Sequence, residues 1–334
     1  MIYYVLLWIF SAIFAYAVLK LISPWMVKKE WVDLDWFRKK NSNVWVPTVG
    51  MFVWLPIFIL TSLAIITNSV GLYAVIWLIL IAGMAILGFV DDLGRKTRKR
   101  IPWLPRFLYT AIFCLVFATL FGTPIHFLNM HIDSPFIYIP AIALFIAGAA
   151  SFENTFGGIN GWTSGSSFII SLGVIALLWN TPWVTLAIIY SATFAAMAKI
   201  YAYPAKGFPG DTSPFVAGAA LAGLAILSGK VVWMFLFYIP HIFDQILKLW
   251  SNRKNIKGIG QKDLLHLGIK PYALGDDGKL HIPKYPDGRI RYDFVKFLIK
   301  VLGPQTEKRL AYIIWIVVAI NTLAVVLLHA SLGA

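Results

Sequence analysis

Two adjacent aspartates, Asp91 and Asp92, end a long apolar segment in the stretch GFVDDLGRKTRKR. Paired carboxylates can hold a hard divalent cation or take a proton from a nucleophile. If the segment is a helix, the pair lies at its C-terminus, where the helix dipole disfavours negative charge, so a compensating cation is expected. The basic run from Arg95 to Arg100 could attract a phosphate group, or could serve only as a membrane anchor.

A second polar cluster, in SFENTFGGINGWTSGSS, combines side-chain amides with glycines. Asn154 and Asn160 supply the amides, and Gly158 and Gly161 would let the backbone approach a ligand closely. Backbone N–H groups next to a helix N-terminus can bind an anion. The same Asn160-Gly161 pair could equally form an ordinary turn between two helices.

A third cluster, KGFPGDTSPF, places Asp211 directly after a Pro-Gly turn and before an apolar segment. Such a constrained carboxylate is a candidate metal ligand. The structural alternative is that Asp211 or Ser213 caps the following helix, with Pro214 at its first position. Both roles are compatible if the carboxylate reaches a metal while the hydroxyl caps.

Two weaker clusters follow. His241 and Asp244, in PHIFDQILKLW, are three residues apart and therefore share a helix face, where they could act in the site or simply reach interfacial water. In GKLHIPKY, the basic residues Lys279, His281 and Lys284 alternate along a segment that could form a short extended or hairpin element and converge on a diphosphate. A solvated loop would have the same pattern. Gly-containing turns are expected at 277–278 and 287–288.

The clusters together point to metal-assisted chemistry on a phosphorylated substrate, because carboxylates and amides recur amid basic residues. The chain contains no HExxH, GxSxG or GxxxxGK[ST] pattern, which argues against zinc proteases, serine hydrolases and P-loop NTPases. The single cysteine, Cys114, excludes a disulfide framework.

The elements that must position these residues are membrane-spanning helices. Of the 334 residues, 59% are hydrophobic and 13% charged, and the mean hydropathy is +0.76. Apolar stretches of about 20 residues match the thickness of a bilayer core. We therefore predict an all-α polytopic transmembrane bundle forming a single domain over 1–334. Its ten spans are predicted near 2–24, 47–67, 71–90, 103–122, 136–152, 166–180, 183–200, 213–228, 230–250 and 310–331.

The formal net charge of +14 reflects membrane topology in this interpretation, not nucleic-acid binding. With ten spans, every Lys and Arg except Lys230 falls on one face, which the positive-inside rule assigns to the cytoplasm. Both termini then lie outside, and the segment 251–309 is a cytoplasmic loop between the ninth and tenth spans. The apolar N-terminus lacks a basic leader region, which predicts a retained first span and not a signal peptide.

The motifs, in their order along the chain, resemble the polyprenyl-phosphate N-acetylhexosamine-1-phosphate transferase family. The resemblance rests on PTVGM at 47–51, GFVDD, NTFGGING, FPGDTSPFVAG and FLIKVLGPQTEKR. The KVLGP-x-x-E and HIPK stretches look most like the eukaryotic and archaeal UDP-GlcNAc:dolichyl-phosphate GlcNAc-1-phosphate transferases. The His-rich motif of the bacterial phospho-MurNAc-pentapeptide translocases is not found.

The resemblance implies that a membrane polyprenyl phosphate, such as dolichyl phosphate, attacks the β-phosphorus of a UDP-N-acetylhexosamine and releases UMP. This reaction is the first step of lipid-linked oligosaccharide synthesis for glycosylation. Asp211 would bind Mg²⁺, which Mn²⁺ could replace, and Asn154 would contact the metal-bound diphosphate. Asp91 and Asp92 would position or deprotonate the lipid phosphate.

The remaining family positions imply substrate contacts. Asn160, Gly158 and Gly161 would shape the uridine side, and Phe208 would also contact substrate. The basic residues of the long loop, Lys279, His281 and Lys284, would touch the diphosphate and the sugar. The resemblance is compatible with a homodimer and places the site on the cytoplasmic face of the cell membrane in an archaeon, or of the endoplasmic reticulum in a eukaryote.

Two other functions fit parts of the sequence. A transporter or flippase would relay ions through intramembrane Asp and His residues, but it predicts internal repeats and charges near the middle of the bilayer. An intramembrane aspartyl protease would need a second aspartate facing Asp211 within the membrane. The one-sided clustering of the charges favours the transferase over both.

Overall fold

The computed structural model describes residues 1–38, 44–96, 103–127, 130–252, 271–285, 288 and 290–332. Arg98, Lys99 and Arg100 of the predicted basic run, and Asp287 of a predicted turn, lie outside these residues. Helices dominate the described chain. They are α1 (Ile2–Lys28), α2 (Trp54–Ile66), α3 (Tyr73–Lys96), α4 (Trp103–Phe121), α5 (Pro135–Thr155), α6 (Trp162–Leu178), α7 (Val184–Tyr201), α8 (Thr212–Ser228), α9 (Val231–Leu236), α10 (Ile239–Asn252), α11 (Phe294–Leu302) and α12 (Glu307–Ser331).

The predicted all-helical membrane bundle is confirmed. In a bilayer the backbone must satisfy its own hydrogen bonds, which is why long apolar segments form helices. Six described segments are long and apolar enough to cross a membrane: Ile2–Lys28, Val49–Ile66, Tyr73–Gly94, Pro135–Thr155, Val184–Tyr201 and Glu307–Ser331. Three shorter apolar helices join them: Leu108–Phe121, Trp162–Leu178 and Thr212–Ser228.

The predicted ninth span is interrupted. Instead of one helix over 230–250, α9 ends at Leu236 and α10 begins at Ile239. Pro240 lies in the first turn of α10, and a proline there cannot donate a hydrogen bond to the carbonyl of Leu236. The chain therefore breaks the helix and starts a new one, whose first turn tolerates proline.

Helix α8 lies at the centre of the bundle, and its residues from Thr212 to Ile226 are buried. Small residues let its neighbours approach closely, as is common between membrane helices. A Cβ added at Gly88 of α3 would lie 2.5 Å from the Thr212 Cα, and one added at Gly218 would lie 2.5 Å from the Ala150 backbone nitrogen of α5. Helices α3 and α5 are thus packed directly against α8, and a short α8 is tolerated because protein surrounds it.

Three two-stranded antiparallel hairpins connect the helices: β1 (Val32–Leu34) with β2 (Trp45–Pro47), β3 (Ile125–Phe127) with β4 (Met130–Ile132), and β5 (Ala273–Leu274) with β6 (Leu280–His281). A short 3₁₀ helix, Val49–Phe52, precedes α2. The β5–β6 hairpin confirms the predicted hairpin in the long loop, and its turn contains Gly278 with φ +71°.

The segment 251–309 also contains a helix that was not predicted, α11. Asp293 caps its N-terminus by accepting a hydrogen bond from the Lys296 backbone N–H at 2.8 Å. The following helix, α12, is capped in the same way by Thr306, which accepts from the Arg309 N–H at 3.3 Å.

Candidate active site

Asp92 joins the end of α3 to the start of α8. Its Oδ1 accepts a hydrogen bond from the Asp211 backbone N–H at 2.8 Å. Its Oδ2 accepts from the Thr212 N–H at 2.9 Å and from the Thr212 hydroxyl at 2.6 Å. The carboxylate therefore caps α8 from a neighbouring helix. The positive charge that we expected to compensate an aspartate at the end of α3 is supplied, for Asp92, by the N-terminus of α8.

The structure does not support the alternative in which Asp211 or Ser213 caps α8. Asp211 occupies the N-cap position, but its side chain makes no capping hydrogen bond and is half-buried. Because Asp92 satisfies the first backbone N–H groups of α8, the Asp211 carboxylate is not needed for that purpose. Pro214, expected at the first helical position, is the third residue of α8.

The turn before Asp211 is held by the PTVGM segment. The Phe208 backbone N–H donates to the Pro47 carbonyl at 2.8 Å, and the Gly50 N–H donates to the Phe208 carbonyl at 2.9 Å. Gly210 has φ +61°, and a Cβ there would lie 2.7 Å from Oδ2 of Asp92. Glycine is therefore required at this point, and two motifs that are distant in sequence form one backbone unit.

A cavity of about 190 Å³ lies beside this turn. It brings together three predicted substrate-binding residues, Gly158, Asn160 and Phe208. The complete wall consists of Asp33, Leu34, Asp35, Trp36, Phe37, Gly158, Ile159, Asn160, Tyr201, Phe208, Pro209, Gly210 and Glu307. Since Gly210 and Asp211 are adjacent, the cavity opens next to the carboxylates at the α3–α8 junction.

Asn160 is fixed by two buried carboxylates that sequence reasoning did not identify as site residues. Its backbone N–H donates to Oε1 of Glu307 at 2.7 Å, and its Nδ2 donates to Oδ2 of Asp35 at 3.1 Å. Arg38 lies 3.4 Å from the same oxygen of Asp35. Glu307 is the final residue of the KVLGP-x-x-E motif and could have been found from it, whereas Asp35 lies in no motif.

The other two predicted residues of this region have different positions. Gly161 starts α6 with φ +84°, and its carbonyl accepts a hydrogen bond from Nε1 of Trp315 at 2.9 Å. It shapes the turn and does not line the described cavity wall. Asn154 is half-buried in the last turn of α5. It lies on the same side of the bundle as Asp211, because the loops after α5 and before α8 both line the cavity.

The predicted metal ligands remain a prediction. Among the described residues, no group of three or more His, Cys, Asp and Glu side chains could hold a metal ion. Mg²⁺, however, commonly takes one or two protein carboxylates and completes its shell with phosphate oxygens and water. Asp211, whose carboxylate is not used for capping, fits that kind of site.

The basic residues of the β5–β6 hairpin lie around a carboxylate of their own. Lys279 Nζ is 3.5 Å from Oδ2 of Asp277, and His281 Nε2 is 3.4 Å from Oδ1. The Lys279 backbone N–H, which donates to Asp277, is the main cause that lowers the pKa of this exposed carboxyl. Lys284 is exposed. These three residues are absent from the described cavity wall.

The base of the hairpin nevertheless adjoins the cavity. A Cβ at Gly158 would lie 2.8 Å from the hydroxyl oxygen of Tyr272, which immediately precedes β5. The Leu280 N–H donates to the Gln305 carbonyl at 2.8 Å, two residues before Glu307. The hairpin is thus held next to Gly158, which lines the cavity, and next to Gln305, which lies close in sequence to Glu307.

His241 and Asp244 are both buried, so the expectation that they reach interfacial water is wrong. His241 Nε2 lies 3.8 Å from Oε1 of Glu153, which is also fully buried. Asp244 accepts hydrogen bonds from the Phe294 backbone N–H at 2.8 Å and from Lys248 Nζ at 2.6 Å. Asp244 therefore ties α10 to the start of α11.

Comparison with known proteins gives consistent matches. Residues 73–229 match the family model described as "Glycosyl transferase family 4". The chain is 29% identical over 235 residues to "Putative glycosyltransferase MJ1113" of Methanocaldococcus jannaschii, covering 70% of this chain and 69% of the relative. It is 26% identical over 250 residues to "Phospho-N-acetylmuramoyl-pentapeptide-transferase" of Halalkalibacterium halodurans, covering 69% and 75%. A protein of the same name from Thermoanaerobacter sp. is 27% identical over 241 residues, covering 66% and 74%.

Proposed function

We propose that the chain is a membrane polyprenyl-phosphate sugar-phosphate transferase, because residues 73–229 match the model of glycosyl transferase family 4, and that it transfers GlcNAc-1-phosphate from UDP-GlcNAc to dolichyl phosphate. UMP is the second product, and the lipid-linked sugar begins the synthesis of an oligosaccharide for glycosylation. The choice of GlcNAc and of a dolichyl acceptor is supported by the KVLGP-x-x-E and HIPK stretches.

The reaction joins two anions, so it depends on charge neutralisation and in-line positioning more than on covalent help. In this proposal Asp211 and Asn154 would hold Mg²⁺, which would bind the diphosphate of the nucleotide sugar. The bound cation supplies the positive charge that offsets the phosphates. The neutral part of the nucleotide sugar occupies the cavity at Asn160 and Phe208.

The two adjacent aspartates have different roles in the proposal. Both oxygens of Asp92 accept hydrogen bonds from the start of α8, so Asp92 positions Asp211. We assign to Asp91, which is buried beside it, the contact with the acceptor phosphate. A carboxylate in that place can orient the phosphate or take its proton.

One observation carries the proposal: the hydrogen bonds of Asp92 hold the α3 aspartates and Asp211 together, directly beside a ring-sized cavity. The positive-inside rule places this end of the bundle in the cytoplasm, where a soluble nucleotide sugar and a lipid phosphate can meet.

The test measures UMP release by the purified chain in liposomes. We expect UMP from UDP-GlcNAc only when both dolichyl phosphate and Mg²⁺ are present, and loss of activity on chelation. UDP-GalNAc, UDP-MurNAc-pentapeptide and undecaprenyl phosphate serve as parallel substrates, the muramoyl donor because relatives carry that name. Turnover of another donor in preference to UDP-GlcNAc would overturn the sugar assignment, and no UMP with any combination would overturn the reaction.

A further inference from the structure

The orientation of Asn160 is determined by its partner. A carboxylate only accepts hydrogen bonds, so the Asn160 side chain must turn its Nδ2 toward Asp35. Its Oδ1 consequently points away from Asp35. Asn160 also lines the cavity.

Glu307 is used at only one of its two oxygens. Oε1 accepts the Asn160 backbone N–H, while Oε2 is buried and has no hydrogen-bond partner among the described residues. Glu307 also lines the cavity. Buried carboxylate oxygens without a partner are costly and rare in native proteins, so a donor from a ligand is expected at this oxygen.

The rest of the cavity wall also presents mainly hydrogen-bond acceptors. The Tyr201 hydroxyl already donates to the Ile159 carbonyl at 2.8 Å. Asp33, Asp35 and Glu307 contribute three carboxylates to the wall, with Arg38 paired to Asp35 behind it. This negative, acceptor-rich surface repels a phosphate and favours a neutral group that carries N–H or O–H donors.

The size of the cavity and its aromatic side chains further restrict which groups can bind there. The cavity volume of about 190 Å³ lies below the roughly 300–1,000 Å³ of sites that enclose a whole small ligand, and it accommodates a single ring. Aromatic side chains line it, and Tyr201 and Phe208 meet edge to face with ring centroids 5.9 Å apart. Aromatic walls suit the flat face of a base or a sugar ring.

We infer that Glu307 determines donor specificity: its Oε2 accepts a hydrogen bond from an N–H or O–H group on a neutral ring of the nucleotide sugar, while its Oε1 and Asp35 hold Asn160 for a second such contact. This inference rests on the proposed function, since it takes the ligand to be a UDP-sugar. The donor can belong to the base or to the sugar, and the experiment separates the two.

The informative variant is Glu307→Gln, because it reverses one hydrogen bond without removing the side chain. The Gln carbonyl must stay on the Asn160 N–H, so the amide nitrogen replaces Oε2 and turns an acceptor into a donor. Loss of a hydrogen bond to a charged group predicts a Kd for UDP-GlcNAc about 10- to 100-fold higher. The KM for the polyprenyl phosphate should not change. Titration calorimetry in detergent with Mg²⁺ measures the Kd, and UMP release measures the KM.

Binding of UMP and of UDP-GlcNAc distinguishes the two sources. If Oε2 contacts the base, Glu307→Gln weakens both ligands equally; if it contacts the sugar, only UDP-GlcNAc binding weakens. Asp133→Asn, an exposed acid outside the cavity wall, is the matched control and should bind both ligands as the wild type does.

Two further measurements distinguish a lost ligand contact from a folding defect: the melting temperature of Glu307→Gln, and ligand binding by Glu307→Asp. The shorter carboxylate keeps its charge but cannot reach both the Asn160 N–H and the cavity, so the same weakening is expected. Unchanged binding of both ligands by folded Glu307→Gln, with an active wild type, would overturn this inference alone. An inactive wild type that binds neither ligand would overturn the proposed function itself.

Discussion

Asp92 and Asp211 meet at the α3–α8 junction, where the Asp92 carboxylate accepts from the Asp211 backbone N–H, and their side chains have different roles. Asp92 caps α8 through both of its oxygens, whereas Asp211 occupies the N-cap position without capping. The family resemblance predicted that the two belong to one site. It could not divide their roles, because either aspartate is a good capping residue by type, and only the geometry of the α3–α8 junction selects one.

We therefore expect Asp211→Asn and Asp92→Asn to behave differently. Asp211→Asn should reduce UMP release to background while leaving the melting temperature close to that of the wild type, since it removes a predicted metal ligand and no capping bond. Asp92→Asn should lower stability by about 1–2 kcal/mol, because an amide can accept only at its oxygen and loses the negative charge at the helix N-terminus.

Both variants are measured in parallel by UMP release and by thermal unfolding in the same detergent. Near-normal turnover by Asp211→Asn would contradict its assignment as the metal ligand. An unchanged melting temperature for Asp92→Asn would contradict its role as the cap of α8.

The partners of Asn160 show where prediction at the scale of single residues ends. Asp35 and Glu307 are 125 and 147 residues away from it in sequence. Neither hydrogen bond follows from local pattern, because both depend on how the first hairpin and the last helix fold over the loop after α5. Glu307 could have been suspected, since a carboxylate inside a motif quoted for its resemblance has some reason to be there.

At the scale of helices, apolar length was a reliable guide, although α3 continues past the predicted end near residue 90 to Lys96. The exceptions have local causes. The break between α9 and α10 was signalled by Pro240, which cannot extend a helix, although the apolar run continues through it. Helix α11 was overlooked because the surrounding segment is rich in Gly, Pro and charge, and its nine residues are too few to stand out.

The start of α11 depends on Asp244, which accepts from the Phe294 N–H and also from Lys248. Asp244→Ala should release the first turn of α11, because a hydrogen bond to a charged group is lost from a buried site. We expect backbone amides of the Phe294–Leu302 helix to exchange with deuterium about 10- to 100-fold faster, on the basis of the energy of such a bond.

Exchange in α8, which has no contact with Asp244 among the bonds described above, is the internal control and should not change. Gln245→Ala, on the next residue of α10, is the matched variant. Equal protection of α11 in Asp244→Ala and wild type would show that packing alone holds the helix against α10.

At the scale of the whole molecule, composition and charge were the strongest predictors. Hydropathy identified a membrane protein, and the distribution of Lys and Arg predicted its orientation. Among the described residues, Arg38 pairs with Asp35 of the cavity wall, so part of this basic face adjoins the cavity. What sequence could not provide is the shape of the cavity, which five separate segments of the chain build together.

The orientation itself is a prediction that labelling can decide. The background variant is Cys114→Ala, since the only cysteine is buried in the bundle. Into it we place Lys28→Cys, exposed at the end of α1, or Ser69→Cys, exposed in the connection between α2 and α3. The positive-inside rule predicts that a membrane-impermeant maleimide added to intact cells labels Ser69→Cys and leaves Lys28→Cys unlabelled until the membrane is permeabilised.

The reverse pattern would place the aspartates outside the cell, away from cytoplasmic nucleotide sugars. One span, α2, separates Lys28 from Ser69, so the two positions should lie on opposite faces of the membrane. Labelling of both positions in intact cells would contradict this topology.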